Sequence, residues 1–97
     1  MPVATADSRP KVFIAFQDNE ESRAVIEAVL ADNAEATAAY TPGLVKIDCP
    51  DHLVIRRERI EEITGQPYDL QQIQINLVTL SGHVDEDDDE FSLSWNR

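Results

Sequence analysis

An α+β fold of two β-α-β-β units, with short helices packed on antiparallel sheets in a single domain, is the architecture this sequence predicts. Three observations carry it. The chain has 97 residues, enough for one hydrophobic core but not two. Runs with an apolar period of two alternate with stripes of period 3.6. The order strand, helix, strand, strand also occurs twice along the chain.

Residues 1–10, MPVATADSRP, are small and polar without a hydrophobic period, so they read as a mobile arm ahead of a folded domain spanning 11–97. The apolar run Val12 to Phe16 is rich in β-branched and aromatic residues and reads as a central strand buried on both faces. Asp18-Asn19-Glu20-Glu21 then supplies a capping side chain and negative charge for a helix N-terminus. Val25, Ile26, Val29 and Leu30 form its inward stripe, and Asp32-Asn33 ends it, Asn33 being a residue that tolerates the left-handed conformation of a helix terminus. Ala36–Thr41 and Leu44–Cys49 flank Pro42-Gly43 as a hairpin.

After a turn at Pro50-Asp51, His52–Ile55 reads as a strand and Arg57–Thr64 as a short helix, with Ile60 and Ile63 inward and Arg57 paired to Glu61 at i, i+4. Gly65 and Pro67 stop it. Asp69 caps one further turn, Leu70–Ile73. Gln74–Leu80 alternates like a strand, with Gln74, Asn76, Val78 and Leu80 on a face too apolar for ordinary solvent. Ser81-Gly82 turns the chain, Asp85–Glu90 is an acidic loop, and a last strand turns Phe91, Leu93 and Trp95 inward.

Eight Lys and Arg against nineteen Asp and Glu leave a net charge of −11, a field that repels phosphate backbones and anionic lipid. Nucleic-acid and membrane-surface binding are therefore not expected. A 42% hydrophobic share supports a packed core rather than disorder. No apolar stretch approaches the length of a signal peptide core or a membrane span. The single cysteine, Cys49, precludes an internal disulfide and suits a reducing compartment, so a cytoplasmic location is expected.

The chemistry of a catalyst is not legible. His52 and His83 are isolated, no Glu-x-x-His pair is present, and Gly43, Gly65 and Gly82 are too widely spaced for a phosphate cradle. The run Asp85 to Glu90 lacks the sixth-position glycine and twelfth-position glutamate of a calcium loop. Arg56, Arg57 and Arg59 either compensate Glu58, Glu61 and Glu62 or form a docking contact. The residues by themselves point to a domain that acts by binding another protein. A small acid–base enzyme and an assembly subunit remain the alternatives.

Four strings go further: Val25–Asn33 (VIEAVLADN), Leu53–Glu62 (LVIRRERIEE), Thr64–Leu77 (TGQPYDLQQIQINL) and Ser81–Asn96 (SGHVDEDDDEFSLSWN). Through them the chain resembles the effector, or coupling, proteins of bacterial multicomponent monooxygenases. The resemblance is to the phenol hydroxylase branch of the methane monooxygenase regulatory component family. It implies a cofactor-free, non-catalytic regulatory subunit with two β-α-β-β units, a monomer or weak dimer when free. Its implied partner is the di-iron hydroxylase of an aromatic monooxygenase, whose hydroxylation it promotes. The matching Gly-x-Pro-aromatic turn is Gly65-Gln66-Pro67-Tyr68, followed by Ile75-Asn76. The resemblance thereby places Asn76, Val78, Thr79 and Leu80 at the hydroxylase interface. Asn33 at the end of the first string and Arg57 of the arginine cluster are further candidates for hydroxylase binding. Asn76 and Leu80 are expected to share one exposed strand face.

Overall fold

The computed structural model of the protein describes residues 10–95. Apart from Pro10, the expected N-terminal arm lies outside the described residues. Among the described residues, seven strands and three helices follow one another as β1 (Lys11–Gln17), α1 (Glu20–Asp32), β2 (Thr37–Thr41), β3 (Leu44–Pro50), β4 (His52–Arg56), α2 (Arg57–Thr64), α3 (Ile73–Asn76), β5 (Leu77–Ser81), β6 (His83–Glu86) and β7 (Glu90–Ser94). A single 3₁₀ turn, Leu70–Gln72, leads directly into α3.

Two antiparallel sheets result. One has the order β2-β3-β1-β5 and the other the order β4-β7-β6. The α+β class and antiparallel pairing agree with expectation, and strand, helix, strand, strand does recur. The sheets do not follow that repeat, however. β5 leaves the second half of the chain to pair with β1, Ile14 lying opposite Leu80, and β7 is an added strand.

The core lies between the sheets and α1. Val12, Ile14 and Phe16 of β1 meet Val45, Ile47 and Cys49 of β3, with Val25, Ile26 and Val29 of α1 and Leu53, Ile55, Phe91 and Leu93 of the second sheet. β1 is interior to its sheet, as predicted, but its second face is only partly covered. Ala15 is buried and Phe13 half-buried, with the Lys46 ammonium 4.5 Å from the Phe13 ring centroid.

Helix boundaries follow the local chemistry. The Asn19 side chain accepts from the Ser22 N–H at 3.0 Å and starts α1. Gly65, at φ 73°, closes α2 with its N–H on the Glu61 carbonyl. Ile60 is fully buried as expected, whereas Ile63 is 38% exposed, because this two-turn helix reaches the core through Ile60 alone.

The α1 C-terminus differs more. Asn33 is extended, at φ −131° and ψ 92°, not left-handed. Its amide is buried and donates to the Val29 carbonyl at 2.7 Å and the Val54 carbonyl at 2.8 Å, while its oxygen accepts from the Val54 N–H at 3.0 Å. β4 is the outermost strand of its sheet, so Asn33 occupies backbone groups that no neighbouring strand pairs.

The acidic stretch is more ordered than a loop. Asp85 and Glu86 belong to β6, which leaves Asp87 to Asp89 as the turn. The Asp87 carboxylate accepts from the N–H groups of Asp89 and Glu90, both at 2.8 Å, and these bonds hold its pKa below the usual carboxylate range. Trp95 was expected inside with Phe91 and Leu93 but is 45% exposed. Its indole N–H donates to the Lys11 carbonyl at 2.7 Å, fastening the end of the last strand to the start of the first. Trp95→Ala is therefore expected to lose about 1–2 kcal/mol, one hydrogen bond and a half-buried ring, in urea unfolding. A loss above about 3 kcal/mol would mean the indole is a core residue.

Candidate docking surface

The segment that carries most of the candidate residues is set up by Asp69. Its side chain accepts from the Gln71 N–H at 3.0 Å and starts the 3₁₀ turn, and Leu70 and Ile73 anchor that turn in the core. The helical course then runs on through Asn76. Residues 74–76 are thus helical, not the first half of a strand. Ile73 is buried, and Ile75, two residues on, is 68% exposed.

β5 begins at Leu77 and carries a bulge at once. Phe16 pairs with Leu77 and Ala15 with Thr79, so Val78 is the extra residue. Val78 is 50% exposed, Thr79 lies opposite Ala15 on the outer face of the sheet, and Leu80 packs against the core opposite Ile14. Asn76, Val78, Thr79 and Leu80 are consequently contiguous but do not share a face. The expected common face of Asn76 and Leu80 is overturned by the helical turn and the bulge, each of which shifts the alternation.

Asn76 is half-buried at the end of α3. Its carboxamide oxygen accepts from Asn19 Nδ2 at 2.7 Å, and its own Nδ2 donates to Glu21 Oε1 at 3.2 Å. Beside it opens a cleft of about 210 Å³ with Phe16, Val25, Tyr68, Ile73 and Ile75 among its walls. Burial pushes the Tyr68 phenol pKa up to about 12, with Glu21 and Asp69 adding to the shift, so the hydroxyl stays protonated and neutral at physiological pH.

The two remaining candidates lie elsewhere. The Asn33 amide is spent on α1 and β4 as described. Arg57 Nη2 reaches Asp89 Oδ1 at 3.0 Å, its Nε lies 3.9 Å from Glu61, and its N–H donates to the Asp89 carbonyl. Arg59 binds Asp32 at 3.0 Å and Glu62 at 2.7 Å, and Arg56 lies 3.8 Å from Glu90. The arginine cluster thus compensates charge, largely on other elements rather than only within α2. The pairs exposed on both sides, such as Arg56–Glu90 and Arg59–Glu62, contribute about 0–1 kcal/mol each.

Sequence reasoning did not find Ile75, Asn19 or Glu21 as neighbours of the candidate surface. Strand alternation puts Ile75 on the face opposite Asn76, and nothing local ties Asn19 to a residue 57 positions later. Among the described residues, no group of three or more His, Cys, Asp or Glu side chains is placed to hold a metal ion. No helix among them is long and apolar enough to cross a membrane.

Residues 10–94 match the MmoB/DmpM family, and the chain belongs to that family. The stimulatory component DmpM of phenol 2-monooxygenase from Pseudomonas sp. (strain CF600) is 44% identical to it over 84 residues, 87% of this chain and 93% of the relative. A chain in the structure of a phenol hydroxylase–regulatory protein complex superposes with a TM-score of 0.86 at 46% identity, covering 90% of this chain and 100% of that one. A second structure of such a complex contains a chain that matches with a TM-score of 0.83 at 43% identity, over 89% and 100% of the two chains. The soluble methane monooxygenase regulatory protein B shares the fold, with a TM-score of 0.69 at 14% identity over 99% of this chain and 70% of that one.

Proposed function

We propose that this protein is the effector subunit of a phenol-type aromatic monooxygenase, binding the di-iron hydroxylase and raising its turnover without contributing a catalytic group or cofactor. The observation that carries this reading is 44% identity across 93% of a relative named as a stimulatory component. The similarity of the chain to members of phenol hydroxylase–regulatory protein complexes supports the same partner. The single thiol, Cys49, fits a cytoplasmic setting.

The mechanism requires differential affinity. A subunit without reactive groups changes turnover only if it binds one hydroxylase conformation better than another. The surface proposed for this is the exit from α3 into β5: Asn76, Val78 and Thr79, with exposed Ile75 beside them and Leu80 supporting the strand from the core side. A half-exposed valine on a bulge at a sheet edge is suited to burial against a partner, since apolar area leaves water without moving the core. Asn33 and Arg57 serve docking indirectly, through the strand and turn that they hold.

Titrating the protein into cognate hydroxylase and reductase should give saturable stimulation of phenol hydroxylation. An unchanged rate at every concentration would refute the effector reading and favour an assembly subunit. Asn76→Ala combined with Val78→Asp should raise the half-saturating concentration about tenfold, about 1.4 kcal/mol, and leave the Tm within a few degrees. Leu80→Asp is unsuitable as a probe because Leu80 packs on the core. A folded double variant with wild-type half-saturation would place docking on another surface.

A further inference from the structure

Three side chains from two distant segments form a directed hydrogen-bond relay. The Ser22 backbone N–H donates to Asn19 Oδ1 at 3.0 Å, Asn19 Nδ2 donates to Asn76 Oδ1 at 2.7 Å, and Asn76 Nδ2 donates to Glu21 Oε1 at 3.2 Å. Its direction is chemically determined at both ends. A backbone N–H only donates and an ionised carboxylate only accepts, so each carboxamide between them has a single satisfactory orientation. Asn76 is thereby held in one amide orientation at the point where the chain changes from helix to strand.

The relay also uses α1 as its base. Asn19 is the helix cap, Glu21 lies in the first turn, and α1 packs on the core through Val25, Ile26 and Val29. A carboxamide at the end of a four-residue helix would otherwise be free to rotate. Anchored this way, it meets a partner already ordered, which removes part of the entropy cost of docking.

We infer that Asn19 and Glu21 are positioning residues for hydroxylase docking, acting through Asn76 rather than by contact of their own. The inference rests on the proposal that Asn76 belongs to the docking surface. Asn19→Ser separates the two jobs of Asn19, because serine caps a helix as well as asparagine does but has no amide to donate to Asn76. Glu21→Ala removes the terminal acceptor, whereas Glu21→Gln keeps an acceptor and loses only the charge.

The test measures the Kd of the full-length protein for its cognate hydroxylase by calorimetry, with thermal unfolding in parallel. Asn19→Ser and Glu21→Ala are each expected to weaken binding about fivefold at wild-type Tm, and Glu21→Gln to stay within about twofold. In an Asn76→Ala background, Asn19→Ser should have no further effect, because its role passes through the missing side chain. Additive losses in that cycle, or equal losses from Glu21→Gln and Glu21→Ala, would overturn the inference, since both imply direct contact with the hydroxylase. Wild-type affinity of Asn76→Ala itself would instead overturn the docking surface. Should Asn19→Ser unfold, Asn19→Asp replaces it. Aspartate also caps, but sets acceptor against acceptor toward Asn76, and wild-type affinity in that variant would equally overturn the inference.

Discussion

Asn33→Ala is expected to lose about 3–5 kcal/mol of folding stability, a large share of the 5–15 kcal/mol typical of a domain. The substitution removes little apolar surface. Its effect comes from the Val54 N–H and C=O, which now bond to the Asn33 side chain in a site only 8% exposed. Each group left buried without a partner costs about 1–3 kcal/mol. Asn33→Asp separates the donor from the acceptor. Its carboxylate still accepts from the Val54 N–H but faces two carbonyl oxygens where the amide donated. Those oxygens and burial raise the carboxyl pKa in the folded state above its unfolded value near 3.9. The protonated form is thus favoured by folding, and the deficit of this variant should narrow as the pH falls from 7 to 5. Urea midpoints at the two pH values test this; wild-type midpoints for both variants would show that water replaces the amide.

Gly82→Ala should cost about 2–4 kcal/mol by a different route. Gly82 sits at φ 134° where the chain leaves the first sheet for the second, a backbone region costly for any residue with a Cβ. A Cβ there would lie 2.9 Å from Val12 Cγ1, and Val12 is fully buried and has no room to withdraw. Gly43→Ala provides the comparison. It has a positive φ of 79°, yet a Cβ meets nothing within 4 Å, so only the backbone penalty of about 1–2 kcal/mol applies. Equal denaturant midpoints for the two alanine variants would refute the steric contribution.

Much of the fold was legible because its signals are local. Asn19 caps a helix whose stripe has the right period, Gly65 ends another, and Pro42-Gly43 separates two strands that do pair. What escaped is tertiary. Ile73 and Ile75 share a face in a strand, but a helical turn sends the first into the core and the second into solvent. Four helical residues are too few to display a period of 3.6, so apolar alternation wins on sequence while the capped turn from Asp69 wins in the protein. β6 escaped for the opposite reason. All four of its residues are exposed, so no apolar alternation marks it, and only pairing with β7 makes it a strand. Asn33 has a common local role at helix ends, and its use by Val54 depends on a strand 21 residues away.

The candidate surface rests on the family resemblance, and local sequence does not give its shape. Asn76, Val78 and Thr79 were named, but their division between faces depends on a bulge that no residue type announces. The relay through Asn19 and Glu21 exists only once α1 and α3 are packed together.

The pairing of β5 with β1 also governs how the chain must assemble. A ribosome has to deliver Leu77–Ser81 before β1 acquires its second neighbour, and most of the domain lies between the paired residues Ile14 and Leu80. Thermodynamically that separation is cheap, because the entropy of closing a loop grows only with the logarithm of its length. Kinetically it is not, since distant partners must find each other before their contacts repay the search. Until they do, a nascent chain presents the unpaired edge of its most apolar strand, and the segment proposed to meet the hydroxylase in the finished protein is the one that covers that edge.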